Sequence, residues 1–131
     1  MKNAKENEAA FGALQSLLKA LEDLPEFAGL AVHSVNAIGN FGNSPLSLYS
    51  VMGNPEAVAA LVNAGAAVNH HGDGGYTPLH EAVEQGHPTV VAVLLASGAD
   101  LDARNDDSLT PLQLAEALGN EQILTILKQR G

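Results

Sequence analysis

The sequence contains no cysteine and no tryptophan, and three Phe and two Tyr are its only aromatic residues. Without cysteine there can be no disulfide bond, no thiol catalysis and no cysteine-ligated zinc. The hydrophobic fraction is nevertheless 46%, so a core has to be built mainly from Ala, Leu and Val. A length of 131 residues fits one domain.

Long apolar runs are missing as well. No stretch approaches the roughly 20 apolar residues that span a membrane. Residues 1–10 are polar and charged, unlike the apolar centre of a signal peptide. We therefore expect a cytoplasmic protein without a membrane partner.

Positive charge is absent from most of the chain. There is no Lys or Arg between Ala20 and Ala103, and the formal net charge is −9. Nucleic acids and anionic membranes bind cationic surfaces, so neither is expected as a partner. A basic protein would be attracted, mainly through faster association. The alternative interpretation is that the acidic surface only maintains solubility.

What the chain does have is a repeat of 33 residues. Ser44-Pro45-Leu46 returns as Thr77-Pro78-Leu79 and as Thr110-Pro111-Leu112. The same period is kept by Gly53, Gly86 and Gly119, by Leu61, Leu94 and Leu127, and by Gly65, Gly98 and Gly131. One such unit cannot bury its apolar face alone, so the repeat predicts an all-α stack of small units without an enclosed active site.

Each repeat has the pattern of two short helices followed by a turn. In the middle repeat Thr77 is the expected N-cap, and Pro78 occupies the first helical position, where a missing N–H is harmless. Gly86 is placed to end this helix. A second helix is expected from about Pro88, before a polar turn over residues 99–109.

The N-terminal part departs from this pattern. Its apolar residues predict one longer amphipathic helix. They are Phe11, Leu14, Leu17, Leu18 and Leu21. Asp23 and Glu26 have the spacing of a capping box, which predicts a second helix from Pro25 to about Val32.

The middle repeat carries a family resemblance. Its segment Gly75-Tyr76-Thr77-Pro78-Leu79-His80-Glu81-Ala82, followed by Gly86-His87 and Gly98-Ala99-Asp100, resembles a near-consensus ankyrin repeat. The resemblance implies an all-α, short ankyrin-repeat solenoid of about four helix-turn-helix units with projecting β-turns. It divides one domain, 1–131, into a degenerate capping repeat (5–38), a repeat (39–71), a near-consensus repeat (72–104) and a truncated capping repeat (105–131).

Similar arrays are binding scaffolds for proteins and almost never catalysts. The resemblance therefore implies a non-catalytic module without cofactor or metal, which is monomeric when free. An alternative is an immunity- or antitoxin-type inhibitor that neutralises a basic toxin or effector enzyme. Another alternative is self-association through the last helix, at Ile123, Ile126 and Leu127.

Several positions differ from the family pattern. The Asp that normally opens the turn is replaced by Gly39, Gly72 and Asn105, so we expect a looser turn network. Ser108 stands where the other repeats have glycine, and it would cost about 1 kcal/mol if the backbone there has a positive φ. Tyr49 stands where the other repeats have alanine, and we expect it to fill a wider gap against the first unit.

The histidines do not form a metal motif. The resemblance implies that His80 hydrogen-bonds the turn backbone and the Thr hydroxyl. His87 is expected to start its helix as a polar residue, and the adjacent His70 and His71 cannot easily converge on one ion. Zinc needs three or four ligands with defined geometry, so no zinc site is expected. The acidic last turn lacks the Gly and the terminal Glu of a calcium-binding loop, so no calcium site is expected either.

The resemblance places partner contacts on the turn tips and on the exposed side of each first helix, which together form a concave, acidic face. Phe41, Tyr76 and Leu109 are predicted as a row of apolar anchors inside an acidic rim. The alternative is that Phe41 and Tyr76 fold back onto neighbouring turns. The predicted contacts are Ile38, Asn40, Phe41, Asn43, Val51, Met52, His71, Asp73, Tyr76, Glu84, Gln85, Arg104, Asp106, Asp107, Leu109 and Leu118.

Overall fold

The computed structural model describes residues 4–130, and its regular elements over that range are all helical. The α-helices are α1 (Ala4–Ala20), α2 (Pro45–Met52), α3 (Pro55–Asn63), α4 (Pro78–Gln85), α5 (Pro88–Ala96), α6 (Pro111–Leu118) and α7 (Glu121–Arg130). Short 3₁₀ segments cover Leu21–Asp23, Pro25–Phe27 and Asp73–Gly75. None of the helices within these residues is long and apolar enough to cross a membrane.

The repeated sequence markers define the ends of the first helix in each pair. The hydroxyls of Ser44, Thr77 and Thr110 each accept a hydrogen bond from the N–H three residues later. Proline follows at the first helical position in all three helices. Each helix ends at a glycine with a left-handed conformation, as the sequence predicted; these are Gly53, Gly86 and Gly119.

The helices stack in two layers. The first helices α2, α4 and α6 pack side by side, and α3, α5 and α7 form the second layer. Because the repeats are 33 residues long, one leucine of each second helix lies at the same buried position. These residues are Leu61, Leu94 and Leu127, and each is at most 2% exposed. Each such burial contributes about 1.5–3 kcal/mol relative to an exposed side chain.

The N-terminal segment contains the predicted long helix α1, but the predicted helix from Pro25 to Val32 was wrong. Leu24 is extended (φ −88°, ψ 150°), as a residue before proline prefers, and only the 3₁₀ turn Pro25–Phe27 follows. No side chain caps that turn, so the expected Asp23–Glu26 capping box does not form. The Glu26 carboxylate is instead buried against the first projecting turn, where it accepts hydrogen bonds.

Tyr49 joins this N-terminal segment to the stack. Its side chain is 5% exposed, and its hydroxyl donates a hydrogen bond to the Leu17 carbonyl oxygen at 2.6 Å. The two alanines at equivalent positions, Ala82 and Ala115, are also fully buried. The larger side chain therefore fills the space beside α1, as the sequence predicted.

Ser108 has the positive φ that the sequence comparison anticipated. Its φ is 64°, close to the values of 89° at Gly42 and 72° at Gly75. We expect Ser108→Gly to raise the free energy of unfolding by about 1 kcal/mol, because glycine adopts this conformation without a Cβ clash. Urea denaturation measures the change.

The matched control is Ser97→Gly, at a residue with φ −97°. Glycine at position 97 increases the conformational freedom of the unfolded chain and removes the hydrogen bond that the Ser97 hydroxyl donates to the Val93 carbonyl oxygen. This variant should therefore lower the free energy of unfolding. Stabilisation by both variants, or by neither, would contradict the strain at Ser108.

Candidate protein-binding face

Each of the three projecting turns is closed by the same type of backbone hydrogen bond. Hydrogen bonds of 2.8–3.0 Å run from the N–H of the turn's first residue to the carbonyl oxygen four residues later. The pairs are Gly39–Asn43, Gly72–Tyr76 and Asn105–Leu109. The turns are thus similar in shape, and differences between their tips lie in the side chains that they carry.

A cleft lies between the second turn, the end of α2 and the exposed side of α4. Its lining residues are Asn43, Val51, Asp73, Gly74, Tyr76, Glu81 and Glu84. Five of these were predicted as partner contacts, and none of the seven is Lys or Arg. We call this site the acidic cleft.

Glu81 is the most perturbed carboxyl group in the acidic cleft. Its pKa is raised from an ordinary value of 4.5 to about 7, mainly by burial and to a lesser extent by the negative charges of Glu84 and Asp73. Sequence reasoning missed this residue. The available signal was its position three residues before Glu84, which puts both carboxylates on one side of a helix in a segment without a cation.

Tyr76 forms one wall of the acidic cleft and is not a freely projecting anchor. It is half-buried, and its ring lies 5.5 Å from the His80 ring, tilted by 46°. The pKa of Tyr76 is raised to about 12, mainly by burial and then by the negative charge of Glu84 and a hydrogen bond to it. The phenol therefore stays neutral at physiological pH.

The three predicted anchors differ in exposure. Phe41 is 58% exposed at the first turn, whereas Tyr76 and Leu109 are both partly buried against the core. Folding back onto neighbouring residues thus describes Tyr76 and not Phe41. Phe41 is the one anchor of the three that projects into solvent.

The other predicted contacts fall into clear classes. Val51 is half-buried, and Asn43 is only 9% exposed. Both polar groups of the Asn43 side chain are occupied, since Nδ2 donates to Glu26 and Oδ1 accepts from the Asp73 N–H. Its predicted role as an accessible tip residue is therefore not supported. The remaining predicted contacts are exposed; they are Ile38, Asn40, Met52, His71, Asp73, Glu84, Gln85, Arg104, Asp106, Asp107 and Leu118.

Two histidines, His80 and His87, hold neighbouring repeats together. The His80 Nδ1 atom accepts from Thr77, its Nε2 atom donates to the Leu109 carbonyl oxygen at 2.8 Å, and burial lowers its pKa. Its predicted structural role is confirmed. His87 does not cap its helix; its ring instead reaches back to the Val51 carbonyl oxygen. Within residues 4–130 no three His, Asp or Glu side chains are grouped to hold a metal ion.

The perturbed Glu81 makes stability depend on pH. A carboxyl group whose pKa is higher in the folded chain stabilises the fold below its unfolded pKa of 4.5, and this contribution is lost as the pH rises through about 7. We expect Glu81→Gln to raise the free energy of unfolding by about 1–3 kcal/mol at pH 8 and to change it little at pH 4.5. Urea denaturation at both pH values measures this.

Glu56→Gln, which removes an exposed carboxylate from α3, is the control. It should not stabilise at either pH, since Glu56 lies outside the acidic cleft. A gain from Glu81→Gln that is equal at pH 4.5 and pH 8 would contradict the electrostatic origin.

Comparison with known proteins agrees with this geometry. A family model described as "Ankyrin repeats (3 copies)" matches residues 6–105. No curated protein sequence gives a significant match. Ankyrin repeats form protein–protein interaction modules, and they are generally non-catalytic. With three quarters of its length matched and the helix pairs in place, the chain belongs to the ankyrin repeat family.

Proposed function

We propose that the protein is a non-catalytic, cytoplasmic interaction module, monomeric when free, that binds a basic partner protein through its concave face and turn tips. The observation that carries the proposal is the acidic cleft, in which Asp73, Glu81 and Glu84 lie together without a Lys or Arg. Like charges brought together in a partly buried site favour the approach of a cation.

The chemistry of the acidic cleft suits a Lys or Arg side chain. Its ammonium or guanidinium group would be placed between carboxylates and beside the Tyr76 ring, which adds a cation–π attraction. Glu81 is half-buried whereas Asp73 and Glu84 are exposed, so a pair with Glu81 would be partly shielded from water and contribute more than an ion pair on an open surface. Such a contact would make the acidic cleft prefer a partner with a basic surface.

Apolar tips beside the acidic cleft supply the second part of the proposed interface. Phe41 is 58% exposed, Ile38 is 51% exposed and Met52 is 47% exposed. Exposed large apolar side chains are typical of protein-binding surfaces, where an aromatic residue often serves as an anchor. We therefore place Phe41 at the apolar end of the interface and Glu84 at the acidic end.

The experiment is affinity capture from the source lysate at low salt and pH 8, with quantitative mass spectrometry. The wild type is compared with Glu81→Gln/Glu84→Gln and with the control Glu56→Gln/Glu121→Gln, which removes the same charge from exposed sites on α3 and α7. We expect a basic protein, retained in stoichiometric amount by the wild type and the control, to be lost from the cleft variant. Equal retention by all three proteins would contradict the proposal.

Binding should also depend on pH. A cation in the acidic cleft stabilises ionised Glu81, so binding releases a proton and weakens as the pH falls below about 7. If binding returns the pKa of Glu81 to its ordinary value, Kd rises about tenfold between pH 8 and pH 6.

Calorimetry with the captured partner measures this dependence. Glu81→Gln should lose the part of the pH dependence that Glu81 causes, and Glu56→Gln should keep it. An identical pH profile for the wild type and Glu81→Gln would rule out proton-linked binding at this residue.

The second candidate function is an immunity- or antitoxin-type inhibitor of a basic enzyme. The net charge of −9 and the acidic cleft favour it, because charge complementarity accelerates association with a basic target. An inhibitor should bind stoichiometrically with nanomolar or lower Kd, and its association rate should fall steeply with salt. Weak and salt-insensitive binding would favour a general adaptor.

A further inference from the structure

The last turn shows how a side chain at the start of a turn stabilises the backbone. Asn105 is 5% exposed, and its Oδ1 atom accepts hydrogen bonds from the N–H groups of Asp107 at 2.9 Å and Leu109 at 3.0 Å. The first two turns have glycine at this position, Gly39 and Gly72, and so lack a side chain of their own for this task.

In the first turn a carboxylate from another segment takes this place. Glu26 Oε2 accepts from the N–H groups of Phe41 at 2.7 Å and Asn43 at 3.3 Å. These two residues precede Asp107 and Leu109 by 66 positions, or two repeat periods, so the bonding pattern is the same. A Cβ atom placed on Gly39 would overlap the Glu26 side chain.

The second turn is supported in a similar way by the first. Asn43 Oδ1 accepts from the Asp73 N–H at 3.0 Å, and Asn43 Nδ2 donates to Glu26 Oε1 at 2.6 Å. A Cβ atom on Gly72 would overlap Asn43 Oδ1. Hydrogen bonds thus connect Glu26 through Asn43 to Asp73, which contributes a carboxylate to the acidic cleft.

We infer that Glu26 is a positioning residue that replaces the missing side chain of the first turn and sets the conformation of the tip carrying Phe41. Asn43 extends this support to the second turn and Asp73. The expectation of a looser turn network is thereby corrected for the first turn, where Glu26 supplies both of the bonds that Asn105 supplies in the last turn. In the second turn Asn43 bonds a different group, the Asp73 N–H. The consequence for partner binding rests on the proposed function, whereas the positioning itself does not.

A double-mutant cycle tests the replacement directly. Glu26→Ala leaves two turn N–H groups without their acceptor, so its denaturation midpoint should fall. Gly39→Asp should also lower the midpoint, because a Cβ atom there overlaps both the side chain and the backbone carbonyl oxygen of Glu26. In Glu26→Ala/Gly39→Asp the side-chain overlap is absent and the new carboxylate lies on the turn itself, so the double variant should be less destabilised than the sum of the two single changes. A double variant as unstable as the sum of the single variants would overturn the inference.

Amide hydrogen exchange provides a readout that general destabilisation does not produce. We expect at least tenfold loss of protection at Phe41 and Asn43 in Glu26→Ala, relative to core amides such as Leu79. Unchanged protection at Phe41 would overturn the inference. If Glu26→Ala does not fold, Glu26→Gln is measured in the same way, since it retains an acceptor oxygen and should give an intermediate loss.

Glu22→Ala is the matched control. Glu22 lies in the same N-terminal segment, and its carboxylate accepts a backbone hydrogen bond from Val32 at 2.8 Å. Its removal should leave exchange at Phe41 unchanged and should not be rescued by Gly39→Asp. Rescue of Glu22→Ala would show that Gly39→Asp stabilises the fold in general. Because these measurements need no partner, their failure is distinguishable from failure of the proposed binding function.

Discussion

The structure depends on satisfying the backbone of the projecting turns with side chains from neighbouring repeats. The turns carry polar backbone groups away from the helices, and a buried N–H or carbonyl without a partner is costly. His80 donates to the turn that follows it, and Glu26 accepts from the turn that follows its own segment. Each repeat is thereby joined to the next by a directional contact in addition to apolar packing. A short solenoid, in which units touch only their neighbours, needs such contacts at every junction.

The same connections position the candidate binding face. Asp73 belongs to the second turn, whose backbone is bonded to Asn43 of the first, while Glu81 and Glu84 lie on α4. Carboxylates from two kinds of element therefore meet at one cleft, and no cation of the cleft lining compensates them. The charge is held by a scaffold of hydrogen bonds and helix packing, so it does not depend on flexible loops. Under the proposed function, this preorganisation would leave little ordering to be done when a cationic side chain binds.

Local patterns made much of the fold predictable. The caps of the first helices follow from a Ser or Thr before proline and from a closing glycine, which act within one or two turns of chain. The prediction of a helix from Pro25 to Val32 was wrong because this segment is determined by contacts with residues far away in the chain. Glu26 hydrogen-bonds residues 15 and 17 positions later, and no local rule could have assigned it to them. The net negative charge was readable from composition, whereas the participation of Glu81 in the acidic cleft required knowing which side of α4 faces the second turn.

By itself, the sequence determined the repeat, its family, the ends of the first helices and the sign of the net charge, because these follow from periodicity, capping and composition. Only the tertiary structure decided that Asn43 is buried while Phe41 projects, that His87 reaches into the preceding repeat, and that Glu26 completes a turn lacking its own side chain. These outcomes depend on contacts between segments far apart in the chain. Such contacts arise from stacking of the repeats, which sets distances that neither propensity nor spacing specifies.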